Sequence, residues 1–355
     1  MLISVLLLLG SLAVLIKASD YLVEEVSKIA EYFGISEFII GLTVVAIGTS
    51  LPELASAVMA SFSGASELAV GNIVGADMSN LALNLGIVTI LMTIKSTKRM
   101  FYRDCLMLLL SVIVFYIFAM GGVIGRIEGL VLFIVAIVYL LYALEFRKRI
   151  RGIGASKLLH FRYHVKKPEQ KVAKEKGTAD FVEEGFEKES DKSKAHLAKK
   201  YEAGITRSLI IVAIAAVLIL ISADFLVGEA VEMATKLGIS EAIIGATIIA
   251  IGTSLPELMV SFSSIKRGLG DMILGNVIGS SIFNITLVGG LSAMVAPLAV
   301  TQWELNYSLP VLLLTTSLIL VFIRWRWKIN WPEGILLLAL YSSFIISLLI
   351  GAGII

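Results

Sequence analysis

Polar positions are unevenly spread along this chain. Apolar runs of membrane-spanning length succeed one another from residue 2 to about 146, and again from about 207 to 353. Hydrocarbon is crossed by roughly 20 apolar residues in a helix. That rule predicts spans near 2–26, 36–63, 69–93, 104–122 and 126–146, then near 207–235, 240–264, 270–296, 304–324 and 331–353. A membrane β-barrel shows short alternating segments instead, and none occur. The first run reads as a span, not a signal peptide, because no basic segment precedes it and Lys17 and Asp20 stand where a cleavage site belongs. The fold class expected is therefore an all-α polytopic membrane protein with ten transmembrane helices.

Charge sharpens this picture. Of 355 residues, 57% are hydrophobic and 16% charged, against roughly 25% charged in a soluble domain. About half of the charges and all three histidines fall between Glu145 and Arg207. The polar segment 147–206 reads as a linker between two halves, 1–146 and 207–355. With the N-terminus outside, the inner loops collect Lys28, Lys95, Lys98, Arg99, Arg103, Lys266, Arg267, Arg324, Arg326 and Lys328, and the outer loops only Arg126 and Lys236. The positive-inside rule then places both termini extracellular and the linker in the cytoplasm. Trp303, Trp325, Trp327 and Trp331 fall at predicted span ends, as in an aromatic belt. His160 and His164 are spaced i, i+4, a spacing that fits a metal, but they read first as part of a solvated basic helix. Cys105 is the single cysteine, which excludes a disulfide framework. The net charge of +2 gives no reason to expect nucleic acid, and no obligate protein partner is evident. The lipid bilayer is the expected surrounding, in a cell membrane.

The two halves repeat. Residues 41–58 read GLTVVAIGTSLPELASAV and residues 245–262 read GATIIAIGTSLPELMVSF. The same offset of 204 pairs GNIVGADMSN at 71–80 with GNVIGSSIFN at 275–284, and Asp20 with Asp224. Motif-bearing segments run over 41–58 and 71–84 in the first half, and over 245–262 and 275–288 in the second. Five spans per half is an odd number, so the second copy enters the membrane from the other side. Inverted five-helix repeats with a binding site near the midplane are a common transporter plan.

The chemistry sits in the repeats. Pro52 and Pro256 each lie inside an apolar run, four residues after Gly48 and Gly252. Proline removes a donor from the helix and crowds the carbonyl four residues back, so the backbone is expected to open there. Freed carbonyls in hydrocarbon need partners; Thr49, Ser50, Thr253, Ser254 or a cation can supply them. Glu53 and Glu257 follow in the next turn. Two carboxylates brought together by a pseudo-two-fold repel unless a cation or proton intervenes. Carboxylates, hydroxyls and open carbonyls make an all-oxygen site, suited to Ca²⁺ and Na⁺. Ala76 and Asn80, and Ser280 and Asn284, are spaced four apart and so share a helix face. Glycines 71, 75, 275 and 279 allow close helix packing.

Two GTSLPE segments, each followed about twenty residues later by GN-x-x-G-small, resemble the sodium/calcium exchanger family of cation/Ca²⁺ antiporters. The likeness covers most of the chain outside the linker. Gly-Thr at the break, where the proton-coupled branch usually has Gly-Asn, favours the sodium-coupled branch. The resemblance implies a Ca²⁺ site between Glu53 and Glu257, completed by Thr49 and Thr253. It implies flanking Na⁺ sites that use Ser50, Ser254, Ser280 and the carbonyls of Ala46 and Ala250, with Asn80 and Asn284 at the centre. It implies Na⁺/Ca²⁺ antiport by alternating access, with the first helix of each half sliding over the other eight, no catalytic chemistry and no cofactor. H⁺/Ca²⁺ or other divalent exchange is the alternative. A channel is disfavoured by the inverted repeat, and an intramembrane enzyme by the lack of a His, Cys or Ser–Lys arrangement in the spans.

Two positions depart from the pattern. Some members carry Asp at the place of Asn284, and Ala76 has no hydroxyl where the second half has Ser280. Asp77 neighbours that alanine. Either it replaces in part the missing hydroxyl or carboxylate, or it points roughly 100° away around the helix and bonds a neighbouring helix.

Overall fold

A computed structural model of the chain describes residues 2–33, 35–143, 205–226 and 254–351, and singly Gly228, Glu229, Glu232, Lys236 and Gly252. Of the sequence expectations, residues 147–204 of the linker with His160 and His164, the GATIIA segment with Ala250, and Thr253 lie outside the described residues.

The described chain is helical nearly throughout. In order come α1 (Leu2–Phe33), α2 (Glu37–Thr49), α3 (Leu51–Phe62), α4 (Ser66–Leu91), β1 (Ile94–Lys95), α5 (Lys98–Ala119), β2 (Val123–Ile124), α6 (Arg126–Ala143), α7 (Ile205–Leu226), α8 (Leu255–Lys266), α9 (Gly270–Val295), β3 (Leu298–Ala299), α10 (Glu304–Arg326), β4 (Lys328–Ile329) and α11 (Trp331–Gly351). Among the described residues seven helices are long and apolar enough to cross a membrane, eight when the bent pair α2–α3 is taken as one span.

Burial sorts these helices. The apolar windows of α4 and α9 are 78% and 94% inside the protein, against 22% for α7 and for α11. The two motif-bearing helices thus form the centre, and α7 and α11 face outward. A helix covered on all sides has no exposed face for polar residues; Asp77, Ser79, Asn80 and Asn84 of α4 and Asn276, Ser280, Ser281 and Asn284 of α9 accordingly lie inside the protein.

The short strands come in pairs that the apolar pattern did not predict. β1 pairs antiparallel with β4 (Ile94 opposite Ile329), and β2 with β3 (Ile124 opposite Leu298). By the sequence offset β1 corresponds to β3 and, one residue further on, β2 to β4. The first strand of each half therefore pairs with the second strand of the other, and exchanging the halves reproduces the pairing.

Glycine contacts obey the same exchange. A Cβ on Gly334 would lie 2.8 Å from the carbonyl oxygen of Gly86, and one on Gly290 would lie 2.9 Å from that of Gly129. Gly86 and Gly290 are equivalent positions, as are Gly129 and Gly334. At the centre α2 lies backbone to backbone on α9. A Cβ on Gly275 would approach the Phe38 carbonyl oxygen to 2.2 Å, and one on Gly279 the Leu42 oxygen to 2.4 Å. Lipid is as apolar as leucine, so close van der Waals packing holds helices together in a membrane, and these glycines permit it.

One turn breaks the symmetry. Gly122 ends α5 with φ 77°, while the equivalent turn after α10 is made by Trp327 with φ 55°, the one non-glycine residue in that region among the described residues. The left-handed conformation costs roughly 1–2 kcal/mol for an L-residue. Trp327 offsets it by packing edge-on against Phe101 at 5.9 Å and under the Arg324 guanidinium at 5.4 Å. Trp303, Trp325 and Trp331 are exposed at helix ends.

Candidate functional site

The path between α2 and α3 is set by Pro52. Lacking an N–H, proline is tolerated in the first turn of a helix. Here it stands at the start of α3, and the chain bends by 43°. The hinge itself is Ser50 (φ −83°, ψ 6°), two residues beyond the Gly48 expected to open. The proline frees the Gly48 carbonyl, but the turn is absorbed at the residue that caps the new helix. Ser254 repeats this (φ −89°, ψ 3°) ahead of Pro256.

This local fold places both glutamates in the first turn of a helix, Glu53 in α3 and Glu257 in α8. The N-terminal end of a helix carries partial positive charge and favours a carboxylate. Both side chains are completely buried, and none of their four carboxylate oxygens has a hydrogen-bond partner. The two lie within electrostatic range of each other, and Glu53 of Asp77 as well.

The other predicted residues that the structure describes are buried too. Ser50 Oγ, Ser254 Oγ, Ser280 Oγ, Asn284 Oδ1 and both polar atoms of the Asn80 side chain are without partners. Thr49 donates towards Val45 (3.1 Å) and Ala46 (3.3 Å) carbonyls and lies beside Glu257. The Ala46 carbonyl also accepts the Ser50 N–H at 3.0 Å, which occupies one of its two lone pairs. Ala76 is buried as well. Asp77 bonds a neighbouring helix: its Oδ1 accepts the amide of Asn284 on α9 at 3.2 Å. Among the described residues no group of three or more His, Cys, Asp or Glu side chains is arranged to hold a metal ion.

Two residues of this cluster escaped the sequence reading. Asn276 meets the Thr49 hydroxyl at 3.4 Å, and Asn72 donates to the Glu53 carbonyl oxygen at 3.3 Å. They are the asparagines of the two GN pairs. Asn72, Ala76 and Asn80 are spaced four apart, as are Asn276, Ser280 and Asn284, so one helix face carries all three. The duplication of GN was the signal available. Ser79, Asn84 and Ser281 are likewise buried in α4 and α9, Ser281 beside Asp77 and Ser79 beside Tyr341.

Backbone irregularity accompanies these side chains. Ser79–Asn84 and Asn284–Val288 are stretches of π-helix within α4 and α9, and Gly41–Val45 is another within α2. Such bulges are frequent at functional sites; those in α4 and α9 begin next to Asn80 and at Asn284, while Phe101–Cys105 in α5 and Glu304–Ser308 in α10 are π-helical without carrying a predicted site residue.

The chain is similar to known proteins along both halves. A family model described as sodium/calcium exchanger protein matches residues 3–145 and 207–350, leaving out the linker. A sodium/calcium exchanger of Methanosarcina acetivorans, MaX1, is 35% identical over 344 residues, 97% of this chain and 97% of that one. The inner membrane protein YrbG of Escherichia coli is 30% identical, covering 92% of this chain and 90% of its own. Solved structures of the sodium-calcium exchanger NCX_Mj superpose with a TM-score of 0.76 at 31% identity, covering 98% of this chain and 99% of that one.

Proposed function

The chain belongs to the sodium/calcium exchanger family, and from that premise we propose that it is a secondary antiporter that exchanges Na⁺ for Ca²⁺ across a cell membrane by alternating access. The observation that carries this reading is the pair Glu53 and Glu257, both fully buried with four unpartnered oxygens. Buried polar groups are normally satisfied, and an isolated carboxylate at the centre of a bilayer costs several kcal/mol. A divalent cation between them removes the repulsion and the unsatisfied oxygens together.

Ca²⁺ is held by Glu53, Glu257, Thr49 and Thr253. Na⁺ is held by Ser50, Ser254, Ser280 and the carbonyls of Ala46 and Ala250, with Asn80 and Asn284 between. Na⁺ and Ca²⁺ draw on the same carboxylates, so occupancy by one excludes the other and the fluxes are coupled. The ten spans form two inverted five-helix repeats, 1–146 and 207–355, with both termini extracellular and 147–206 cytoplasmic. The exchange symmetry of the strand and glycine pairs supports the inverted repeat. The outward position of α7 supports its moving, with α1, over the rest.

Proteoliposomes loaded with Na⁺ test the coupling. An outward Na⁺ gradient is expected to drive ⁴⁵Ca²⁺ uptake. Uptake driven by a pH gradient and not by Na⁺ replaces the proposal with H⁺/Ca²⁺ exchange, since unpartnered carboxylates accept protons as well as cations.

A further inference from the structure

Beyond the glutamates the two halves stop matching. On α8, Ser261 and Ser264 follow Glu257 by four and seven residues, so the three share one face of the helix. On α4, Asn84 follows Asn80 by four. Helix α8 packs against the stretch 79–91 of α4. Ser263 and Lys266, on the far side of α8, are the residues that reach α1. Gly86, on the far side of α4 from Asn84, meets α11 at Gly334 and Leu338. Ser261, Ser264 and Asn84 are at most 1% exposed. Neither hydroxyl has a hydrogen-bond partner, and neither does the oxygen or the nitrogen of the Asn84 amide.

Other hydroxyls in these helices behave differently. A buried serine or threonine can return its hydroxyl to the carbonyl four residues back, as Ser61, Thr89, Ser111 and Thr316 do. Polar side chains that hold helices together bond across the interface. Ser261, Ser264 and Asn84 do neither. Buried polar groups are nearly always hydrogen-bonded, to protein or to water; with no protein partner, these three mark a lane that takes water or a cation. Their equivalents in the other half are Ala57, Ala60 and Val288. There α3 packs against α9, and Ala57 and Val288 belong to the apolar core. Ser292, one turn past Val288, is unpartnered as well, but no polar side chain joins it to the glutamates along that face.

The lane starts at Glu257 and runs about 10 Å along α8 to Ser264, close to the end of the helix at Lys266. Neutral oxygens suit a passage. They replace part of a cation's hydration and hold it weakly enough for it to leave, while the carboxylates supply the strong binding. We propose that Asn84, Ser261 and Ser264 line the route by which cations pass between the glutamate pair and the membrane face at which α8 ends, cytoplasmic in the orientation given above. The nature of the cargo rests on the exchanger reading; the route does not.

Thiol labelling tests the route. Ser261→Cys and Ser264→Cys are treated singly, in sealed inside-out membrane vesicles, with a small cationic, membrane-impermeant methanethiosulfonate. Both are expected to react, and to react more slowly with Ca²⁺ present. Ser111→Cys, equally buried in α5 but outside the lane, is expected to stay unlabelled, as is the buried Cys105 of the wild type. A second measurement uses the chain's own repeat. Ser261→Ala, Ser264→Ala and Asn84→Val together give the lane the residues of its mate. The maximal rate of ⁴⁵Ca²⁺ exchange is expected to fall about tenfold or more, while equilibrium Ca²⁺ affinity stays within about twofold. Absence of labelling at either serine position overturns the proposal. So does equal labelling of Ser111→Cys, or an unchanged maximal rate in the folded triple variant. Where that variant does not fold, labelling decides alone. If wild-type protein carries no Na⁺-driven Ca²⁺ flux, the exchanger reading fails, and labelling still decides the route.

Discussion

Thr49 of the first half and Asn276 of the second meet at 3.4 Å, hydroxyl to amide oxygen, with both side chains buried. The contact joins the hinge after α2 to the centre of α9 and brings an amide to the edge of the glutamate pair. Asn276→Ala removes it and leaves the Thr49 hydroxyl with its backbone acceptors alone. The expected outcome is a weakening of Ca²⁺ half-saturation by about tenfold, from the loss of roughly 1–2 kcal/mol, with the protein still folded. Concentration-dependent ⁴⁵Ca²⁺ uptake measures it.

Gly129 and Gly290 exclude each other's side chains. A Cβ on either would stand within 3 Å of the other's carbonyl oxygen, and backbone cannot rotate away as a side chain can. Gly290→Ala is expected to destabilise the protein by about 1–3 kcal/mol, the usual range for overpacking. Gly334→Ala is expected to do the same at the equivalent contact. Thermal unfolding in detergent checks both; unchanged midpoints would show that the helices separate without penalty.

The Arg103 guanidinium grips Asp104 through two bonds of 2.7 and 2.8 Å, and Tyr139 of α6 donates to the same carboxylate at 2.9 Å. This fork is the stronger geometry for an arginine–carboxylate pair. Breaking a buried pair by removing one partner leaves an uncompensated charge, at a cost of about 3–5 kcal/mol. Arg103→Met is therefore expected to lower stability far more than Tyr139→Phe, which removes one hydrogen bond worth about 1 kcal/mol. Equal losses on thermal unfolding would contradict this ranking.

Helix α1 is tied to the end of α8. Asp20 accepts from Ser263 at 2.6 Å and Lys266 at 3.3 Å, and Arg267 reaches Glu24 at 3.0 Å. These partners are partly exposed, and such ion pairs contribute only about 0–1 kcal/mol. They can hold one arrangement of a sliding helix without locking it. Arg267→Ala is expected to leave the unfolding temperature nearly unchanged and to populate a second α1–α8 distance between spin labels. A single unaltered distance would count against movement of α1.

Much of the architecture was legible because a bilayer leaves few choices. Ser66–Leu91 and Gly270–Val295 had to be helices, since uninterrupted apolar chain in lipid must satisfy its own backbone. Glu53 and Glu257 stood out because a carboxylate in such a run is expensive. The hinge at Ser50 was displaced from the expected Gly48, because a proline frees one carbonyl but the turn falls on the residue that caps the next helix. The two-residue strands were invisible, being too short for any period to register. Asp77 could not be placed by its helix alone; whether it met Asn284 depended on how α4 crosses α9. Asn72 and Asn276 were overlooked beside the glycines that precede them, although they extend the same polar face.

The central claim is that Na⁺ and Ca²⁺ share the carboxylates of Glu53 and Glu257. Equilibrium ⁴⁵Ca²⁺ binding to purified protein, with and without Na⁺, tests it most directly. The account predicts Ca²⁺ binding that Na⁺ displaces in the wild type and that disappears in both Glu53→Gln and Glu257→Gln, with each variant still folded. Undiminished Ca²⁺ binding in both variants, or binding in the wild type that Na⁺ leaves untouched, would contradict it.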